Sequence, residues 1–254
     1  MKQKINGQII LAFIIAMALV ACKGKDKSDG KETITTGTEQ TTGNDADMDA
    51  LKAPPGLYKV LADTLGIRIV EVNYKPGDSS VMHWHPDYAI YAIQSGKSTF
   101  YLKDGSKMEN ELTAGMTLVS PAGSHSVKNT GSTDVKVMLF EVNRSGAVTS
   151  PDASMDAMKV APDVYKIKND TLGIRVLEVT VKPGGSVAMH SHPDGAIYVI
   201  EGGTVEFAAK DGTKMTNELK TGMAMVLPAE THSAKNTGKT TLKAILVEVN
   251  RAMK

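Results

Sequence analysis

The chain has 254 residues, of which 41% are hydrophobic and 22% charged, so it can bury a core as one large domain or two smaller ones. Its 29 basic and 28 acidic residues leave a net charge of +1 and form no basic block. Because nucleic-acid binding depends on clustered positive charge, we do not expect the protein to bind nucleic acid.

The first 22 residues have the layout of an export signal. Lysines near the start precede the apolar run IILAFIIAMALVA, which is too short for a stable membrane span. The run Leu-Val-Ala-Cys that follows resembles the bacterial lipobox, whose cysteine is lipidated and becomes the new N-terminus. The resemblance implies an envelope lipoprotein anchored through Cys22, periplasmic or on the outer-membrane side in a Gram-negative cell. An uncleaved N-terminal anchor is the alternative.

Residues 23–47 are rich in Lys, Asp, Thr and Gly and contain one large apolar residue, Ile34. Such a segment cannot bury enough apolar surface to offset the entropy lost on ordering. We therefore predict a flexible tether here.

The rest of the chain is a tandem repeat with a constant offset of 107 residues. DTLGIRIVEV at Asp63 matches DTLGIRVLEV at Asp170, and KPG, KDGxKMxNEL and EVNR recur at the same distance. The repeat predicts two domains, at residues 48–145 and 153–252, joined by a linker at 146–152. We expect the two domains to pack on each other.

Short apolar stretches such as IRIVEVNY and VKVMLFEV lie between the turn sequences KPG, KDG and NTG. Helix is expected only around MDALK and MDAMK. This pattern is typical of antiparallel sandwiches and barrels, so we predict an all-β protein made of two tandem β-barrels.

The histidines of the chain form two triplets at matching positions. They are His83, His85 and His125 in the first copy and His190, His192 and His232 in the second. Two histidines separated by one residue on a strand project from the same face, and the third comes from another strand. Three imidazoles suit a divalent transition metal, with Fe, Mn, Ni, Cu and Zn not distinguished. A structural role as buried core residues is the alternative.

The triplets lie in sequences that resemble the two motifs of the cupin family, and the tandem copies resemble a bicupin. The first motif begins at Gly77 and Gly184, and the second at Gly115 and Gly222. The resemblance implies two jelly-roll barrels and covers nearly all of residues 57–144 and 164–251. The HPD sequence in each copy is similar to that of single-domain cupins associated with β-alanine degradation.

The glutamate ligand of the cupin motif is absent, because its position falls on Ala89 and Ala196. The resemblance therefore implies a three-histidine site that leaves the metal with its full double charge and favours a small anionic ligand. Family members with three-histidine iron sites include thiol dioxygenases, so oxygenase chemistry is compatible with the pattern.

Asp87 and Asp194 follow the HxHP sequences and are candidates for a substitute metal ligand or for an imidazole's hydrogen-bond partner. A Pro-Asp turn is the alternative.

Tyr91 and Tyr198 share strand parity with the two alanines at the glutamate position, so we expect them to face the histidines and to bind a ligand. Core tyrosines with satisfied hydroxyls are the alternative. By contrast, Arg68 and Glu71 are retained in the second copy as Arg175 and Glu178, and these residues are interpreted as members of cross-strand surface pairs.

These features predict a membrane-anchored bicupin that binds a metal and a small, anionic ligand. A metal-dependent enzyme, namely a dioxygenase, isomerase or lyase acting on a small carboxylate, is the first alternative. A non-catalytic interaction module is the second, although retention of every histidine in both copies argues against vestigial sites.

Overall fold

The computed structural model describes residues 49–52, 56–149 and 154–253. The predicted signal segment with Cys22 and the predicted tether of residues 23–47 lie outside the described residues. In the described ranges, no helix is long and apolar enough to cross a membrane. The short helical pieces, a 3-10 turn at Ala50–Lys52 and α1 at Ala157–Val160, fall in MDALK and MDAMK, as predicted.

The first repeat forms a barrel of two antiparallel sheets, called barrel 1 below. Its strands are β1 (Tyr58–Thr64), β2 (Ile67–Tyr74), β3 (His83–His85), β4 (Asp87–Ala92), β5 (Gly96–Leu102), β6 (Lys107–Leu112), β7 (Thr117–Ser120), β8 (Gly123–Asn129) and β9 (Val135–Val142). The order is β1-β2-β9-β4-β7 in the five-stranded sheet and β3-β8-β5-β6 in the four-stranded sheet.

The second repeat forms barrel 2 in the same way. Its strands are β10 (Tyr165–Thr171), β11 (Ile174–Val181), β12 (Ser186–His192), β13 (Gly195–Glu201), β14 (Gly203–Ala209), β15 (Lys214–Leu219), β16 (Ala224–Leu227), β17 (Glu230–Asn236) and β18 (Leu242–Val249). The sheet orders are β10-β11-β18-β13-β16 and β12-β17-β14-β15. The equivalent topology confirms the predicted all-β architecture of two tandem barrels.

A tight hairpin opens each barrel. Between β1 and β2, Leu65 and Gly66 have φ values of 52° and 64°. Two successive residues with positive φ are the mark of a type I′ turn, whose twist matches that of the flanking strands. The same turn recurs between β10 and β11.

Strand β9 is buried on both faces, which explains its nearly continuous apolar sequence. Val135, Val137 and Leu139 point into barrel 1, whereas Met138 and Phe140 lie on the opposite face. Strand β18 has the same arrangement in barrel 2. Each five-stranded sheet therefore has one face inside its own barrel and the other against the neighbouring barrel.

One apolar core joins the two barrels through the outer faces of these sheets. Among its fully buried members are Ile67, Ile69 and Phe140 of barrel 1 and Ile174 and Val247 of barrel 2. The two repeats thus pack on each other, as predicted.

Two reciprocal ion pairs accompany this core. Nη2 of Arg144 lies 2.7 Å from Oδ2 of Asp194, and Nη2 of Arg251 lies 2.6 Å from Oδ2 of Asp87. The other oxygen of each aspartate accepts a backbone N–H from the turn before β8 or β17. Because both carboxylates are engaged in these contacts, the prediction that they ligate a metal or orient an imidazole is wrong.

The inter-barrel core also contains Tyr91 and Tyr198, whose ring centroids lie 5.7 Å apart. Ala89 and Ala196 share this core and are fully buried there. The prediction that the two tyrosines face the histidines is therefore wrong. Strands β4 and β13 have apolar residues on both faces. The alternation of side chains therefore could not predict which face points into the barrel.

Candidate metal centres

The three histidines of barrel 1 come together on the four-stranded sheet. His83 and His85 lie on the same face of β3, and His125 lies directly opposite His83 on β8. The ring centroids are 4.8 Å apart for His83 and His85, 4.8 Å for His83 and His125, and 5.1 Å for His85 and His125.

Barrel 2 repeats this cluster with nearly the same dimensions. His190 and His192 lie on β12, and His232 lies opposite His190 on β17. The ring centroids are separated by 4.7, 4.7 and 5.4 Å. In each cluster the three candidate ligand atoms lie within 4.8 Å of one another.

Backbone carbonyls fix one ring in each cluster. Nδ1 of His83 lies 2.8 Å from the carbonyl oxygen of Val81, and Nδ1 of His190 lies 2.8 Å from that of Ala188. A carbonyl only accepts, so Nδ1 carries the proton in both rings. The lone pair on Nε2 is thereby left available for a metal.

A buried glutamate fixes a second ring. Nδ1 of His85 donates to Oε1 of Glu141 at 2.6 Å, and Nδ1 of His192 donates to Oε1 of Glu248 at 2.6 Å. Both glutamates are 0% exposed. Contacts of this kind orient a metal-ligating imidazole and raise its basicity.

The second oxygen of each glutamate is held by a buried arginine. Nε of Arg68 donates to Oε2 of Glu141 at 2.5 Å, and Nε of Arg175 donates to Oε2 of Glu248 at 2.5 Å. Our interpretation of these arginines as surface residues is therefore wrong. Glu71 pairs with Lys136 of the neighbouring strand at 3.4 Å, which is a cross-strand contact of the expected kind.

Each arginine also binds an aspartate from the segment preceding its barrel. Nη1 of Arg68 lies 2.9 Å from Asp49, and Nη1 of Arg175 lies 2.8 Å from Asp156. The two networks thus run from aspartate through arginine and glutamate to a histidine. They explain why the MDALK and MDAMK sequences recur.

A buried tyrosine hydroxyl meets each cluster from the five-stranded sheet. The hydroxyl of Tyr58 donates to Nε2 of His83 at 2.9 Å, and that of Tyr165 donates to Nε2 of His190 at 2.8 Å. Burial raises the pKa of both phenols, so they stay protonated at neutral pH.

Sequence reasoning missed these glutamates and tyrosines, although a signal was present. Glu141 and Glu248 interrupt apolar strands at equivalent positions, which is unusual for a charge unless it has a buried partner. Tyr58 and Tyr165 are likewise retained at equivalent positions.

The donor set fits a divalent transition metal. Burial lowers the pKa of His83 to about 4 and that of His125 to about 3. Burial likewise lowers the pKa of His190 to about 4. These rings are therefore neutral at neutral pH, which is the form that binds metals.

The two centres differ at the residue following the turn before β8 and β17. Barrel 1 has Gly123 there, whereas barrel 2 has Glu230, whose Oε1 lies 3.0 Å from Nδ1 of His232. The His232 imidazole holds the pKa of this carboxyl below its usual value. Barrel 2 thus has a carboxylate beside its cluster.

Two jelly-roll barrels, each with three convergent imidazoles, define a double-barrel protein with two candidate metal sites. The sequence profile of the cupin domain matches residues 70–141 and 177–248, together more than half of the chain. The chain therefore belongs to the cupin family, as a bicupin. No curated protein sequence matches it significantly.

Solved structures support the fold. A structure from a study of the Mn(II) centres of Bacillus subtilis oxalate decarboxylase is 17% identical in sequence, with a TM-score of 0.53. The match covers 74% of this chain and 70% of the decarboxylase chain. The same enzyme at pH 4.6 is also 17% identical, with 74% and 69% coverage and a TM-score of 0.53.

Proposed function

We propose that this protein is an envelope-anchored bicupin in which each barrel binds one divalent transition metal and presents it to a small anionic ligand. The observation that carries the proposal is the convergence of three histidine nitrogens in each barrel, within 4.8 Å of one another. The Mn(II) centres named for oxalate decarboxylase, which has a similar fold, support a metal role.

The charge balance of the clusters favours an anion. The three candidate ligands in each cluster are neutral imidazoles, so they offset none of the double charge of a divalent ion. In barrel 2 the Glu230 carboxylate beside His232 offsets part of that charge and leaves a net positive site. Three protein ligands also leave coordination positions open. A bound metal would supply a Lewis-acidic centre that attracts and polarises an anionic oxygen.

The residues around the clusters have distinct tasks in this proposal. Glu141 and Glu248 hold one imidazole each in the ligating tautomer. The hydroxyls of Tyr58 and Tyr165 donate to the nitrogens that a metal would occupy. Once those lone pairs are committed to a metal, the Tyr165 hydroxyl needs another acceptor, and an anion beside the metal is suitable. The Tyr58 hydroxyl already has the Tyr74 hydroxyl at 2.5 Å as an alternative acceptor.

We expect close to two metal ions per chain after incubation of the metal-free protein with Mn²⁺ or Zn²⁺ and gel filtration, measured by elemental analysis. His85→Ala should reduce the content to one ion by emptying barrel 1. His192→Ala should do the same in barrel 2, and the double variant should bind none.

Asp87→Ala is a matched control, because this residue lies in the inter-barrel contact and should leave the metal content unchanged. Metal-free wild-type protein that stays folded and empty after incubation with each candidate metal would contradict the proposal.

The anchoring part of the proposal rests on the Leu-Val-Ala-Cys sequence. In a bacterial host, Cys22→Ser should leave the precursor unprocessed or shift the protein out of the membrane fraction, because no thiol remains to accept the lipid. Immunoblots of fractionated cells would show the change. A variant that is processed and partitions like the parent would rule out lipidation at this position.

A further inference from the structure

The two barrels are repeats, but their free interior volumes differ strongly. The cavity beside the histidines is about 300 Å³ in barrel 2 and about 90 Å³ in barrel 1. A single water needs about 10–15 Å³ on this scale, so the smaller cavity holds only a few water-sized molecules. The larger one approaches the size of small-molecule pockets.

Two tyrosines fill barrel 1 where barrel 2 has small residues. Tyr74 corresponds to Val181 in the repeat, and Tyr88 corresponds to Gly195. The hydroxyl of Tyr74 lies 2.5 Å from that of Tyr58, and the ring of Tyr88 lies 5.3 Å from that of His85. These side chains occupy the space that remains open in barrel 2.

The walls of the barrel 2 cavity are mostly apolar. They include Val181, Val205, Phe207, Met225 and Leu246. The lining also includes His192, His232 and Glu230, and in the described part of the chain no lysine or arginine lines the cavity. Glu230 lies 3.0 Å from His232, and the double charge of a metal at the histidines outweighs its single negative charge. A ligand with one anionic end and an apolar body matches this distribution.

We propose that barrel 2 alone takes an organic ligand, a monocarboxylate with an apolar body whose carboxylate faces the histidines. Barrel 1 takes only a metal with water-sized ligands. The proposal rests on the metal sites proposed above and adds the ligand class and its location. A dicarboxylate is disfavoured, because its second charge would be buried among apolar side chains without a cation.

The test is calorimetric titration of zinc-loaded full-length protein with acetate, butyrate, hexanoate and succinate. Affinity should rise about fourfold per methylene group from acetate to hexanoate, because each methylene enters the apolar cavity. Hexanoate should bind once per chain, and succinate should bind more weakly than butyrate.

Val181→Tyr supplies barrel 2 with the residue present in barrel 1. It should reduce hexanoate affinity about 250-fold, to that of acetate, because the four additional methylene groups of hexanoate no longer enter the cavity. The zinc content should stay at the wild-type value. Val148→Tyr is the matched control, since this side chain is 65% exposed and outside both cavities. Ala244→Val introduces the residue that barrel 1 has at another wall position, Val137. It should give a smaller loss of hexanoate affinity, and it replaces Val181→Tyr in the test if that variant does not fold.

Zinc-loaded protein that binds hexanoate no better than acetate, or binds two hexanoates per chain, would overturn the monocarboxylate site in barrel 2. The proposed metal sites would still stand. Failure to bind zinc, together with hexanoate binding that Val181→Tyr abolishes, would overturn the proposed function and leave the apolar cavity in barrel 2. Loss of both zinc and hexanoate binding would overturn both.

Discussion

Replacing Glu141 with alanine should lower the free energy of unfolding by about 3 kcal/mol, because the variant removes one of the two carboxylates that balance the buried charge of Arg68. It should also weaken metal binding in barrel 1 by about 10-fold to 100-fold, because the N–H of His85 loses its acceptor. Denaturant unfolding measures the first effect, and metal titration of the His192→Ala background measures the second.

Two controls separate charge from position. Glu141→Gln keeps an acceptor of similar shape, so it should retain more metal affinity than the alanine variant. Glu71→Ala removes a carboxylate from the same pair of strands outside the barrel, where surface changes usually alter stability by less than about 0.5 kcal/mol. A Glu141→Ala protein as stable as Glu71→Ala would disprove the role assigned to this network.

Ala89→Glu is expected to destabilise the protein by several kcal/mol, on the order of 3–5. The cupin motif places a metal-binding glutamate at this position, but Ala89 is fully buried in the core between the barrels. A carboxylate there would be desolvated among apolar side chains and would lie away from the histidines. Thermal or denaturant unfolding measures the effect.

Ala114→Glu is the matched control, because Ala114 is an exposed residue of the same barrel. It should unfold within about 0.5 kcal/mol of the parent. If Ala89→Glu were equally stable and bound metal more tightly, the carboxylate would have to reach the cluster, and the assignment of this strand face would be incorrect.

The repeat and the strand patterns were sufficient to predict two all-β barrels, and the HxH spacing was sufficient to predict that two histidines of each triplet share a strand face. The third histidine was inferred from its equivalent position in the two copies. The strand assignments and the orientation of the HxH pair depend on local geometry. A side-chain period of two places His83 and His85 on one face whatever the rest of the fold does. Because the offset between the copies is constant, a prediction for a residue of the first copy applies to the equivalent residue of the second.

The predictions were wrong where the environment of a side chain depends on contacts with a distant part of the chain. Tyr91 alternates with Ile90, and both are apolar enough for a core, so only the packing of the second barrel decides which face is interior. The surface assignment of Arg68 failed for a related reason. Its partner Glu141 is 73 residues away in the sequence, and no local pattern joins them.

The reciprocal contacts of Arg144 with Asp194 and of Arg251 with Asp87 have the form of an isologous interface, in which the same patch on each half contacts the other. Such a surface is self-complementary, as in a homodimer with twofold symmetry. Because the two halves are covalently joined, their association is intramolecular, at an effective concentration on the order of millimolar or above. One chain thus encloses the sheet faces that a single barrel would expose, and it does so without a concentration-dependent assembly step.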